Sequence, residues 1–170
     1  DLFLIGAYTG CRFGDFTIIT PDKIKNNMIS IEQEKTGNKV VIPLHPIVKF
    51  ILKKYDGALP PAIKNQPFNR AIKEVCEIAE INDIETKNIT KGGIRKTIME
   101  KKCKLVSSHT ARRSFATNLY KSGFPAISIM KITGHKSEKS FLKYIKVTPE
   151  EHAVLLQKFW DENYKHLKVV

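Results

Sequence analysis

Residues 28–44 constrain the fold more than any other stretch of this chain. Met28-Ile29-Ser30-Ile31-Glu32-Gln33-Glu34 alternates apolar and polar side chains, as a half-buried strand does. Lys35-Thr36-Gly37-Asn38-Lys39 reads as a turn, and Val40-Val41-Ile42-Pro43-Leu44 as the returning strand. The pattern predicts an antiparallel hairpin with one face in a core. Two strands alone are marginal, so a third is expected elsewhere.

Around the hairpin the periodicity is helical. Residues 2–8 are the last turns of a buried helix ending near Thr9-Gly10, where glycine suits a C-terminus. Thr20-Pro21-Asp22 opens a single turn with proline at the first helical position. Residues 46–55 place Ile47, Val48, Phe50, Ile51 and Leu52 in an amphipathic helix. Residues 68–81 put Phe68, Ile72, Val75, Cys76 and Ala79 on one core face. The basic segment 85–107 is ambiguous: Ile98-Met99 and Leu105-Val106 read as short strands or as an ordered loop, and its lysines point to phosphate contact. Ser107 or Ser108 caps a helix running to about Lys121. Pro125 starts one over 126–132, Ser137 caps one over 138–147, and Thr148-Pro149-Glu150-Glu151 is a capping-box start for a last helix reaching about Asn163. The sum is an α+β domain, predominantly α-helical, with one small antiparallel sheet, the hairpin at about 28–44, on one side.

Its 170 residues suit a single domain. Lys and Arg outnumber Asp and Glu by 29 to 17, a net charge of +12, which favours polyanionic partners, nucleic acid first and anionic membrane second. Purely binding proteins share that charge, so it does not by itself indicate an enzyme. Cys11, Cys76 and Cys103 are odd in number and widely spaced, which fits a reducing cytosol and suggests neither a disulfide framework nor a structural zinc site. No apolar run is long enough to cross a bilayer, so no membrane partner is expected. The chain begins inside an apolar helix without an initiator Met, which reads as a domain whose N-terminal portion is missing.

Between Ser108 and Tyr144 lie His109-Thr110-Ala111-Arg112, Thr133-Gly134-His135 and Tyr144. Each has a plain explanation when taken alone. Arg112, like Arg113, suits a solvated helix face; His109 suits a helix start, His135 a turn, and Tyr144 packing beside Phe141, Leu142 and Ile145 on a short helix. Yet two histidines, an arginine and a tyrosine are what transesterification of a phosphodiester requires: a nucleophile, proton carriers and cations for the pentacoordinate phosphorus. Upstream, Thr9-Gly10-Cys11-Arg12-Phe13-Gly14-Asp15 sets an arginine after a helix-ending glycine, with an acid three residues later. Lys35 sits in the turn of the hairpin.

Arginine after T-G, lysine in a hairpin turn, H-x-x-R, G-H and a tyrosine nine residues later resemble, in that order, the tyrosine recombinase family of phage-type integrases. The stretch Ser108-His109-Thr110-Ala111-Arg112-Arg113-Ser114-Phe115-Ala116-Thr117 is similar to that family's most recognisable segment. The resemblance implies a catalytic domain in which Tyr144 attacks DNA and leaves a 3′-phosphotyrosine, without ATP, metal or other cofactor. It implies that His109 assists proton movement, that Arg12 and Arg112 bracket the non-bridging oxygens, and that His135 donates to the same phosphate. Lys35 becomes the general acid for the leaving 5′-oxygen, with Lys39 of the same turn as its rival, and Asp15 holds Arg12 or another group of the site in place. Lys39, Lys91, Arg95, Lys96, Arg113 and Lys136 are further candidates for DNA contact. Cys11 and Thr133 depart from the residues common in relatives, Leu or Met before the arginine and Leu before G-H; neither change removes a reactive group.

The same resemblance implies double-stranded DNA as partner, a tetramer assembled on it, and a bacterial cytosolic location. The last helix, 148–163, packs on its own domain or is donated to a neighbouring subunit. Core-binding and arm-binding domains would precede this chain in a full-length protein, so by itself it is expected to bind DNA weakly and salt-sensitively. A type IB topoisomerase-like strand transferase and a non-catalytic DNA-binding module are the alternative readings. A metal-dependent nuclease is the third, and a chelator would abolish its activity.

Overall fold

The computed structural model describes residues 1–164, except the side chains of Lys87, Ile89 and Lys91. Helix α1 (Leu2–Thr9) is apolar around most of its circumference and crosses close to α6 (Ser108–Lys121). Gly6 makes that approach possible: a Cβ there would lie 2.9 Å from the Phe16 ring and 3.2 Å from the Ala111 methyl. After α1 the chain turns through Gly10 into the short helix α2 (Phe13–Thr17), which the sequence reading did not anticipate. A single 3-10 turn (Pro21–Lys23) then leads into β1 (Ile24–Lys25).

The sheet runs β1–β2–β3, all antiparallel, with β2 at Met28–Glu32 and β3 at Lys39–Pro43. Strand β1 is the third strand that the hairpin called for. Register pairs Ile29 with Ile42 and Ile31 with Val40, so all four side chains point into one core. That core also holds Ile5, Phe16 and the inner face of α3 (Pro46–Lys54), namely Val48, Ile51 and Leu52. Lys39 is the first residue of β3 and not a turn residue as expected, because Gln33 and Asn38 already close the loop through Gln33 N–H to the Asn38 carbonyl at 2.9 Å.

Helix α4 runs Asn65–Ile78, three residues earlier at each end than its expected span. Of its expected core face, Phe68 and Cys76 are buried, whereas Val75 and Ala79 face solvent. The segment 85–107 is a second, separate sheet: β4 (Ile84–Lys91) pairs with β5 (Ile94–Lys101) across a two-residue Gly92-Gly93 loop. The expectation of a single sheet is thus corrected, and Leu105 lies not in a strand but in α5 (Lys102–Leu105). The described side chains of this hairpin are exposed or half-buried, none fully buried, and the apolar alternation that marks a half-buried strand is missing from its sequence.

Ser107 caps α6 in a reciprocal capping box with Thr110. Helices α7 (Ala126–Thr133) and α8 (Glu138–Leu142) pack on α6 through Ala116, Ile129, Phe141 and Ile145. Helix α8 ends at Leu142, five residues short of its expected end, and the chain continues through a turn at Lys143-Tyr144. Leu142 is exposed rather than an anchor, and Tyr144 sits in that turn. Helix α9 (Pro149–Asn163) starts with the predicted box, Thr148 with Glu151, and buries none of its residues. It touches α6 through the Lys121–Glu151 ion pair and the Tyr120–His152 ring contact.

Candidate active site

Helices α1 and α7 end the same way, and the site is built between those two ends. In each, a buried threonine bonds back to the carbonyl four residues earlier, Thr9 to Ile5 at 2.7 Å and Thr133 to Ile129 at 2.6 Å. In each, the following glycine is left-handed, Gly10 at φ 67° and Gly134 at φ 65°. A side chain at Gly10 would overlap the Phe115 ring, and one at Gly134 would overlap the amide of Gln33.

Three successive carbonyls at the C-terminal end of α7 then receive side-chain donors. The Ile132 carbonyl accepts from Gln33 Nε2 at 3.2 Å, the Thr133 carbonyl from Arg112 Nη2, and the Gly134 carbonyl from Arg12 Nη2 at 3.4 Å. Arg112 Nη1 donates to the Gly10 carbonyl at 2.7 Å, so one guanidinium joins both helix ends. Helix C-termini carry partial negative charge and unpaired carbonyls, which suits them to hold cations. Far from being a solvated surface charge, Arg112 is 2% exposed. Burial, then the charge of Arg12, lowers its proton affinity, yet a guanidinium keeps its charge.

Gln33 is fully buried. Its Oε1 accepts from Arg12 Nη1 at 3.2 Å and from Thr36 Oγ1 at 2.9 Å. It therefore ties the hairpin turn to the first arginine and to α7. Sequence reading missed it, because a polar residue at the end of a strand fits the alternation without further explanation. Asp15 Oδ2 lies 3.6 Å from Arg12 Nη1, and Oδ1 accepts the Glu34 N–H at 3.0 Å, so this buried acid braces both the arginine and the hairpin. Lys35, in the turn that Gln33 and Asp15 anchor, is exposed.

Tyr144 is surrounded by the remaining candidates. Its hydroxyl is 2.9 Å from His109 Nδ1. The guanidinium carbons of Arg112 and Arg113 lie 5.8 and 5.2 Å from its ring centroid, within cation–π range. The His135 ring stands edge-on to it with centroids 5.0 Å apart. The proton affinity of His109 is lowered, first by burial and then by Arg112, Arg113, Arg12 and Lys35, so at neutral pH its ring is free to accept a proton. Burial, followed by Arg112 and Arg12, pushes His135 down to about 4. Next door, burial pushes the Cys11 thiol up to about 11, which keeps it a protonated packing group.

The structure thus brings Arg12, Asp15, His109, Arg112, Arg113, His135 and Tyr144 into one cluster, with the Lys35 turn attached to it. Lys39 and Lys136 line an adjoining cavity of about 610 Å³ between β3 and the α7–α8 turn. Arg95 and Lys96 are exposed on β5, in the separate hairpin, and the side chain of Lys91 lies outside the described residues. Among the described residues, no group of three or more His, Cys, Asp or Glu side chains is placed to hold a metal ion, and no helix is long and apolar enough to cross a membrane. Chemically, the cluster offers a hydroxyl nucleophile in contact with a neutral base and several fixed cations for an anionic transition state.

A family model described as the phage integrase family matches residues 2–151. Among solved structures the chain is similar to XerA recombinase, at 16% identity and a TM-score of 0.64, covering 96% of this chain and 55% of that one. It is similar to a lambda integrase dimer bound to a COC′ core site, at 18% identity and a TM-score of 0.62, covering 85% and 50%. It is also similar to the Tn1549 transposon integrase in complex with a circular intermediate DNA, at 17% identity and a TM-score of 0.58, covering 92% and 57%. At these identities the likeness is one of fold, and the chain spans about half the length of each of these proteins. No curated protein matches the sequence.

Proposed function

Because this chain belongs to the phage integrase family, we propose that it is the catalytic domain of a site-specific DNA recombinase. It cleaves and rejoins DNA strands through a covalent 3′-phosphotyrosyl intermediate. The observation that carries this reading is the 2.9 Å contact between the Tyr144 hydroxyl and His109 Nδ1, with the guanidinium groups of Arg112 and Arg113 against the tyrosine ring.

Tyr144 Oη forms a bond to the scissile phosphorus while the phosphorus–O5′ bond breaks. The phenol proton passes to His109, whose lowered proton affinity leaves it unprotonated and ready. Arg12 and Arg112 stabilise the charge that builds on the non-bridging oxygens, and His135 binds the same phosphate. Lys35, free of ion pairs among the described residues, protonates the departing 5′-oxygen. One phosphodiester is exchanged for another, so the step needs no ATP, and the cations that a metal would supply are present as guanidinium groups. Lys39 and Lys136 contact flanking phosphates beside the cavity they line, and Arg95 and Lys96 extend that grip along the second hairpin.

Double-stranded DNA is the substrate, and integration or excision of a mobile element is the role, on the likeness to a transposon integrase with its circular intermediate. The working form is a homo-oligomer on DNA, a tetramer in which helix α9 reaches a neighbouring subunit. The exposed Leu156, Phe159 and Trp160 of α9 support that role. The site of action is the bacterial cytosol and its nucleoid, and further DNA-binding domains complete the clamp in the whole protein. The decisive test is a nicked suicide duplex carrying the element's own recombination site, incubated with EDTA. The wild type accumulates a covalent adduct, and Tyr144→Phe accumulates none while retaining DNA binding. Adducts that persist in Tyr144→Phe would remove this residue as nucleophile, and cleavage lost in chelator would favour a metal nuclease.

A further inference from the structure

The hydroxyl of Thr133 has one hydrogen and two close partners, the Ile129 carbonyl at 2.6 Å and His135 Nδ1 at 2.7 Å. A carbonyl oxygen only accepts, so the hydroxyl hydrogen points to Ile129, since two oxygens 2.6 Å apart with no proton between them repel. His135 Nδ1 must then be the donor to Thr133 Oγ1. The other Thr-Gly helix end corroborates the assignment. Thr9 donates to the Ile5 carbonyl and accepts, at 3.3 Å, from the Cys11 backbone N–H, a group that can only donate. His135 stands two residues after Thr133 as Cys11 stands two residues after Thr9, and its ring nitrogen takes the place of that N–H.

We propose that Thr133 is a positioning residue that holds neutral His135 as its Nδ1–H tautomer, so that Nε2 donates to a phosphate oxygen only after taking up a proton. Occupation of the phosphate site is thereby coupled to protonation of His135. The phosphate in this inference is the scissile one of the proposed function, on which it rests. A leucine at 133 would offer Nδ1 no side-chain acceptor and would leave the tautomer to choose itself.

The charges that face His135 set the sign of the coupling. Arg112 comes from α6 and Arg12 from the α1–α2 junction. Lys39 of β3, Lys131 of α7 and Lys136 line the cavity that His135 borders. The Tyr144 and Phe141 rings close its flanks, with centroids at 5.0 and 5.5 Å. Asp15, the nearest acid in this network, is already paired with Arg12. With Arg112 and Arg12 as the charges that act on it, the ring stays neutral until an anion arrives, and the anion supplies the charge that favours imidazolium.

Histidine ¹⁵N NMR reads both ring nitrogens directly. In protein labelled at its five histidines, with His135 assigned by its loss in His135→Gln, the free wild type should show the Nδ1–H tautomer at pH 7. Saturating inorganic phosphate should raise the titration midpoint of His135 by at least about one unit, a tenfold gain in proton affinity. Thr133→Val, equal in shape but without the hydroxyl, should shift His135 toward the Nε2–H tautomer and weaken the pH dependence of phosphate binding. Thr133→Ser should restore the wild-type pattern. An Nε2–H ring in the wild type, an unchanged tautomer in Thr133→Val, or a midpoint that phosphate does not move would each overturn the inference. Adduct formation is scored separately. The expected tautomer without adducts would count against the functional reading alone, and adducts with the wrong tautomer against Thr133 alone.

Discussion

Replacing Gly134 by alanine should destabilise the chain far more than the backbone conformation alone explains. A non-glycine residue at φ 65° costs about 1–2 kcal/mol. The added methyl would also overlap Oε1 of Gln33, a side chain with no exposed surface into which to retreat. Displacing that amide loses its bonds to Arg12, Thr36 and the Ile132 carbonyl, at about 1 kcal/mol net each. The sum is roughly 4–5 kcal/mol, a large part of the 5–15 kcal/mol that holds a domain of this size together. With a urea m-value of about 2 kcal/mol/M, the unfolding midpoint should fall by roughly 2 M. Gly123→Ala is the control. It shares a positive φ, 81°, but its Cβ would meet nothing within 4 Å, so its midpoint should fall by less than about 1 M. A second control removes the obstacle: Gln33→Ala combined with Gly134→Ala should be less damaging than the two losses added. Equal midpoints for Gly134→Ala and Gly123→Ala would refute the steric argument, and strict additivity in the double variant would refute the role given to Gln33.

Two further outcomes are expected. His135 binds its proton more weakly in the folded chain, about 4 against an ordinary 6.5, so between those values the unfolded chain binds more protons. The stability from keeping the ring neutral is full above about pH 6.5 and is lost as pH falls toward 4. His135→Asn should flatten that limb in denaturant titrations, and identical pH profiles for the two proteins would contradict the shift. Lys35→Ala should slow cleavage of an ordinary suicide duplex at least about a hundredfold, in the range of general-acid effects. A sulfur in place of the leaving 5′-oxygen, which departs without protonation, should restore the rate. Failure of that rescue, with rescue seen instead in Lys39→Ala, would hand the acid role to Lys39.

What the sequence made legible was whatever local periodicity encodes. The β2–β3 hairpin alternates because one face lies on Val48 and Ile51, and α6 and α9 announce themselves by capping residues. The β4–β5 hairpin was legible only as the possible strand at Ile98-Met99, because its sequence carries no regular apolar alternation. The early end of α8 was not legible, because Ser137 marks where that helix starts and no glycine or proline from 143 to 148 marks where it stops. Within the candidate site, the side chains that the structure gathers were legible by type and order. Gln33 and the burial of Arg112 were not, because each depends on a main-chain carbonyl roughly 100 residues distant that has no letter in the sequence; the bond from His135 to Thr133 spans only two residues but depends on how the chain turns through Gly134.

The bridge that Arg112 makes between the ends of α1 and α7 also bears on how variants of the site should be interpreted. Two of its five N–H donors are committed to carbonyls of different helices, so the residue is a fastener as well as a charge. Any substitution there frees two helix ends at the moment it removes a cation, and lost turnover in such a variant cannot be read as lost transition-state binding. Arg12 is held only by longer contacts, and its side chain is 22% exposed. Of the two guanidinium groups, it is the one whose removal would test the proposed chemistry with less damage to the helix ends, although it would leave the buried Asp15 without its cation.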